Sequence, residues 1–310
     1  MTYAIEARDL TKQFGKYKAV DNLNLKIPAG SICGFLGRNG AGKTTTIKML
    51  VGLARPTNGS IYLMETERKF GHCNNKHIGY LPDVPNFYGY MKASEYLDFC
   101  GKLHGMDRVE LKNRTNELLE LVNLTNTKTT ISGFSRGMKQ RLGIAQALIN
   151  KPSIIILDEP ISALDPIGRH EVMQIIRSLR GIVTVFFSTH VLSDVENVCD
   201  YGLILEKGKL LAEDSIENLK KKHASNVAVM KLYSSTDGSK FYSFMKELSD
   251  VNIASIEEKS PVEFILRADD MQLLGKRIPF ILSELGIPLE SYTAYVPSLE
   301  DIFLEVTANA

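Results

Sequence analysis

The chain has 310 residues, 44% of them apolar, with a formal net charge of +1 and four cysteines. That length and apolar share suffice for one large domain plus a small one. The well-mixed charge gives no case for nucleic-acid steering or for an anionic membrane surface. No apolar run approaches the ~18 residues of a membrane span. Met1–Glu6 lacks the basic region and apolar core of a secretory signal. Cys33, Cys73, Cys100 and Cys199 form no C-x-x-C pair and read as the reduced thiols of a cytosolic protein.

Tyr3, Ile5 and Ala7 alternate with polar neighbours, as do Leu23, Leu25 and Ile27, so both segments predict half-buried strands of an antiparallel layer. Ile32–Leu36 is an apolar run that predicts a buried strand. It is followed by Gly37-Arg38-Asn39-Gly40-Ala41-Gly42-Lys43-Thr44-Thr45, which fits G-x-x-x-x-G-K-[ST] and leads into a helix over 44–50. Strand, glycine loop and helix form the context of a phosphate-binding P-loop. Glycines let several N–H groups converge on one anion, and the helix N-terminus adds partial positive charge. Lys43 is placed for the β- and γ-phosphates and the Thr44 hydroxyl for Mg²⁺. His72, Cys73 and His77 share a polar stretch. No fourth ligand is suggested, so a solvated loop is expected there rather than a metal site. Asp83 follows Ile78–Pro82. Helices are expected over 94–103 and 109–122, the second opened by Asp107-x-x-Glu110 as a capping box. Phe134-Ser135-Arg136-Gly137-Met138 opens a helix running to Ile149. Ser135 is a plausible N-cap or first-turn residue there, and Gly137 permits close approach to a phosphate. Ile154–Leu157 predicts a core strand ending in Asp158-Glu159-Pro160. In a P-loop site such an aspartate holds Mg²⁺, and the neighbouring glutamate can take a proton from water. Asp165-Pro166 reads as N-cap and N1 of a helix to Arg180, and the strand Ile182–Phe187 runs into Ser188-Thr189-His190. Leu203–Leu205 and Leu210–Ala212 flank a hairpin turn.

The P-loop, Phe134–Leu142 and Asp158-Glu159, in that order, resemble the ABC ATPases, Phe134–Leu142 being similar to their L-S-G-G-Q signature. The resemblance implies a role for further residues. Phe14 matches the aromatic that stacks on adenine, with Tyr17 as a nearby alternative. Ser135, Arg136 and Gly137 match the signature that reads ATP held by the partner's P-loop. Asp165 lies in the D-loop, and His190 matches the switch histidine that contacts the γ-phosphate. Two positions depart from the family. Asp83 stands where the Q-loop has glutamine, which offers an extra acid for Mg²⁺ or a face for a partner. Arg136 stands where the signature usually has glycine, either near the γ-phosphate or on the helix surface.

Near Lys220–His223 a boundary is expected. Beyond it, strands over 227–233 and 262–267 and helices over 240–248 and 273–285 suggest a small α+β sandwich of ferredoxin-like type. The tail Pro297–Leu304, with Tyr80–Asp83 and the Phe134–Met138 variant, resembles bacterial exporters of the ABC-2 type, including those for drugs and antibiotic peptides. The expected architecture is α/β: a P-loop NTPase (RecA-like) core with an antiparallel β layer and a helical insertion over about 85–150. Residues 1–219 form the nucleotide-binding domain and 220–310 a small accessory α+β domain. The resemblance implies an ATP hydrolase using ATP and Mg²⁺, dimeric with a second copy. It would sit on the cytoplasmic face of the membrane through a separate permease and drive export by ATP-dependent closure. The alternatives are a soluble ABC ATPase acting on ribosomes or DNA and a non-hydrolysing regulator. The first usually carries two cassettes or a coiled-coil insertion, which this chain lacks, and intact Glu159 and His190 argue against the second.

Overall fold

A computed structural model describes residues 2–69, 77–125, 127, 129–223, 227–247, 253–268 and 270–308. His72 and Cys73 of the polar stretch lie outside these residues. The chain falls into two compact units, one of Met1–Leu219 with Phe303–Ala310 and one of Lys220–Ile302.

In the first unit, β1 (Tyr3–Phe14), β2 (Tyr17–Pro28), β3 (Ile32–Leu36), α1 (Lys43–Leu50), β4 (Asn58–Leu63), β5 (Thr66–Glu67) and β6 (Ile78–Leu81) are followed by a helical stretch. That stretch holds α2 (Ala93–Leu103), α3 (Arg108–Leu121) and α4 (Arg136–Leu148). The core then resumes with β7 (Ile154–Leu157), α5 (Pro166–Ser178), β8 (Thr184–Thr189), α6 (Leu192–Val198), β9 (Tyr201–Glu206) and β10 (Lys209–Ser215). The antiparallel sheet has the order β2-β1-β4-β5, and the main sheet β10-β9-β3-β8-β7-β6. From β9 to β6 the main sheet is parallel. Its central strands β3, β7 and β8 are buried along their whole length, and β3 and β7 read as continuous apolar runs rather than alternations. β8 lies between β3 and β7, which brings the C-terminal ends of three strands together where α/β sheets bind ligands.

Local differences from the sequence reading have physical causes. The eighth strand starts at Thr184, not Ile182, because Ile182 is a solvent-exposed turn residue. Asp107 caps α3 by accepting from Val109 N and Glu110 N, but the Glu110 carboxylate pairs with Lys151 Nζ at 2.7 Å. Only the N-cap half of the expected capping box therefore forms.

α7 (Ile216–His223) precedes β11 (Val227–Leu232), α8 (Ser235–Glu247), β12 (Ile253–Ser260), β13 (Glu263–Ala268), α9 (Met271–Leu285), β14 (Leu289–Ala294) and α10 (Leu299–Ala308). The second unit's sheet is antiparallel in the order β12-β13-β11-β14, the split βαβ arrangement of a ferredoxin-like fold. Its core gathers Met230, Phe241, Phe264, Leu266, Ile278 and Leu282. α8 begins five residues before the expected start, while Leu248 lies outside the described residues. Ser234 Oγ accepts from Asp237 N, and the helix runs through Gly238. An added Cβ there would collide with the Pro261 carbonyl, so the glycine serves close packing rather than a bend.

Cys33, Cys100 and Cys199 are free and buried, and burial pushes all three thiols up from their ordinary range. Thiolate is the reactive form, so these residues are inert in the fold. In a Cys73→Ser variant the native protein is expected to leave a maleimide probe unreacted, whereas all remaining thiols react in denaturant. Rapid native labelling would contradict the burial.

Candidate active site

Gly42 ends the glycine loop at φ 109°, and an added Cβ would press on the Ala19 carbonyl. Only glycine satisfies both the left-handed backbone and that approach. α1 starts immediately after it without a side-chain cap, so the first-turn N–H groups are turned toward the loop rather than consumed by a cap. Lys43 is buried, and its Nζ donates to Gly37 O at 2.6 Å and to Arg38 O at 3.3 Å while lying 3.4 Å from Glu159 Oε1. The loop opens on a cleft of about 460 Å³. Phe14, Tyr17, Arg38, Asn39, Gly40, Gly42, Lys43, Thr44, Thr45, Asp83, Glu159, Ser162 and His190 face it. Gly37 and Ala41 build the loop from behind, with Ala41 buried.

Phe14 and Tyr17 pair across the β1–β2 hairpin, so their rings leave the same side of the ribbon. Both are exposed, at 55% and 62%. Lys12 Nζ lies 5.1 Å from the Phe14 ring centroid. Phe14 and Tyr17 thus stand side by side on the cleft.

Asp158 follows β7 and is buried. Its Oδ1 accepts from Ser188 Oγ at 2.7 Å and from Thr44 Oγ1 at 3.3 Å. A hydroxyl and a carboxylate brought together in this way are hard oxygen donors, the type Mg²⁺ prefers. Glu159 has φ 48°, a left-handed conformation uncommon outside glycine, and its N–H donates to Ser188 Oγ at 2.9 Å. The Asp158 carboxylate thus meets Ser188 and Thr44, while the Glu159 carboxylate lies between Lys43 and His190. His190 Nδ1 lies 3.0 Å from Glu159 Oε2, and because a carboxylate only accepts, Nδ1–H is the donor. Burial, then the negative charges of Asp158 and Asp83, push Tyr80 up to about 12. Tyr80 therefore stays neutral beside both acids.

The two departures from the family pattern meet. Arg136 Nη2 lies 3.9 Å from Asp83 Oδ1, both side chains about half exposed. Gln140, one turn further along α4, donates to the Asp83 carbonyl at 3.0 Å. Gln140 lies in the signature stretch and Ser188 two residues before His190, yet the sequence assigned neither a role in the site. A buried polar residue ending an apolar strand was the available signal for Ser188. Ser135 caps α4, its Oγ accepting from Met138 N at 3.2 Å, and is exposed. Asp165 caps α5 through Gly168 N. Ser135, Arg136, Gly137 and Asp165 are not among the residues lining the cleft.

The family model described as ABC transporter matches residues 20–162. ABC transporter ATP-binding protein YxlF of Bacillus subtilis (strain 168) is 37% identical over 303 residues, covering 97% of this chain and 99% of that protein. The chain belongs to the ABC transporter ATP-binding proteins. Bacitracin transport ATP-binding protein BcrA of Bacillus licheniformis is 38% identical over 311 residues, covering 99% of this chain and 98% of its own length. Among solved structures, a dimeric post-hydrolysis state of the ATP-binding cassette MJ0796 with ADP and Pi is 25% identical. It covers 68% of this chain and 98% of that one at TM-score 0.61. As an ABC ATP-binding protein, the chain is an ATPase that uses ATP with Mg²⁺. The family's ATPases dimerise and work with membrane permease subunits. No helix among the described residues is long and apolar enough to cross a membrane.

Proposed function

We propose that two copies of this chain face each other head to tail and hydrolyse ATP at composite sites, energising export through a separate permease. The observation that carries this reading is the placement of the signature. Ser135, Arg136 and Gly137 are absent from the lining of the chain's own cleft, although Arg136 reaches Asp83 at its edge. An added Cβ at Gly137 would lie 3.8 Å from Gly168 Cα, an ordinary contact. Packing within the chain does not require that glycine; a phosphate approaching from a partner's P-loop would.

In this reading Lys43 and the loop N–H groups bind the phosphates, and Phe14 with Tyr17 holds the base. Thr44 and Asp158 hold Mg²⁺, with Asp83 as the additional acid. When bound, the metal offsets phosphate charge. Glu159 accepts the proton of the attacking water, and His190, tied to Glu159, contacts the γ-phosphate. Asp165 belongs to the D-loop facing the partner. A regulator without hydrolysis would not require the Glu159–His190 pair, and the full-length match to a bacitracin transport protein favours export over work on ribosomes or DNA.

The permease is proposed to dock on the helical stretch beside Asp83. Tyr88 and Tyr90 are exposed there, their rings 6.0 Å apart, and Tyr88 stands edge-on to Phe99 at 5.7 Å. That exposed aromatic patch suits a protein partner. The ATPase would thus sit at the cytoplasmic face of the membrane. Purification from membranes is expected to bring down an integral membrane protein, and Tyr90→Asp to reduce its recovery. Recovery only from the soluble fraction, alone, would contradict the transport reading.

Asp83→Asn tests the acid at the Q-loop position. It is expected to raise the Mg²⁺ concentration for half-maximal hydrolysis by roughly threefold or more, the scale of one lost ligand contact through water. A titration that overlays wild type would remove Asp83 from the metal set and leave it to the Arg136 pair.

A further inference from the structure

Ser188 is fully buried, at 0% exposure, in a strand whose other residues are buried too. β7 and β8 pair in parallel with Leu157 opposite Phe187, so Asp158 and Ser188 come next on the two strands. The Ser188 hydroxyl then makes two bonds at once. It donates to Asp158 Oδ1 at 2.7 Å and accepts from Glu159 N at 2.9 Å. The first bond fixes the carboxylate that also receives Thr44 Oγ1. The second satisfies the amide of a residue held at φ 48°. A non-glycine residue in the left-handed region is disfavoured and persists only where its surroundings hold it. Thr189, the next residue, is engaged elsewhere, its Oγ1 accepting from Val191 N.

We propose that Ser188 is a positioning residue for hydrolysis. One hydroxyl sets the metal-side carboxylate of Asp158 and the backbone that aims Glu159, keeping the two acids in separate roles. This rests on the reading of Glu159 as the proton acceptor. Alanine at 188 removes both bonds with the loss of a single oxygen. The metal-side aspartate loses one donor but keeps Thr44. Glu159 loses the acceptor that holds its amide, so its carboxylate is free to leave the position fixed by His190.

The test compares Ser188→Ala, Ser188→Thr, Glu159→Gln and the Ser188→Ala/Glu159→Gln double variant, with ATP affinity, melting temperature and single-turnover hydrolysis measured on each. Ser188→Ala is expected to lower kcat about tenfold or more, the scale of one lost hydrogen bond to a charged group, with KM for ATP changed less than about twofold. Ser188→Thr retains the hydroxyl and is expected to restore most of the rate. In the Glu159→Gln background, Ser188→Ala is expected to cost less than about twofold more, since sites acting as a unit are not additive. If Ser188→Ala melts below the assay temperature, Ser188→Cys, near in shape but a weak acceptor, carries the same comparison. Wild-type kcat in the folded Ser188→Ala protein, or an equal loss in both backgrounds, overturns the inference alone. Wild-type turnover in Glu159→Gln overturns it together with the role given to Glu159.

Discussion

Lys43→Ala is expected to abolish ATP hydrolysis and to weaken Mg-ATP binding by roughly 10²–10³-fold. An ammonium about 4 Å from a phosphate charge at an effective dielectric near 20 contributes on the order of 4 kcal/mol, and each ~1.4 kcal/mol is a decade. Lys43 is buried and held by the Gly37 and Arg38 carbonyls beside Glu159, so little water shares its charge. The fold is expected to survive, because the main core cluster is built from apolar residues of the two sheets and α1. Fluorescent-nucleotide titration and phosphate release read both effects. Near-normal turnover in this variant would remove the P-loop as the phosphate site.

Glu159→Gln separates binding from chemistry. The amide keeps the shape of the side chain but no longer accepts a proton from water. Turnover is expected to fall by about 10²-fold or more, the scale of a lost general base, while ATP still binds. The 34.6 kDa chain should then accumulate as a dimer under Mg-ATP, visible by light scattering. The His190 contact survives in this variant, since an amide oxygen also accepts from Nδ1–H. A variant that stays monomeric and hydrolyses at the wild-type rate would show that Glu159 is not the base.

The local motifs were legible in the chain because local sequence dictates them. Gly42 with Lys43 sets its own turn and helix start, Ser135 and Asp165 cap the helices they precede, and Ile154–Leu157 is too apolar to be anything but a covered strand. What joins distant parts was less legible. The insertion of β8 between β3 and β7 brings Ser188 onto Asp158; a polar residue at the end of an apolar strand marks Ser188 as unusual, but not which carboxylate it meets. The Arg136–Asp83 pair is likewise a product of packing α4 near the end of β6. In the second unit, β12 was missed because Glu257, Glu258 and Lys259 are all exposed, which erases the alternation by which half-buried strands are recognised. β14 was missed for a similar reason, since its side chains are half-buried or exposed and none is buried.

The composite site is tested most directly by mixing two silent subunits. Lys43→Ala disables the P-loop and leaves the signature. Gly137→Asp places a negative charge where the partner's γ-phosphate would lie, at a position with room for a Cβ, and leaves the P-loop. In a head-to-tail dimer of one of each, one site carries both defects and the other carries none. Each variant alone is expected to be inactive, and the mixture is expected to regain ATP hydrolysis. A mixture as silent as its two parts would place P-loop and signature in the same chain's site and contradict the account.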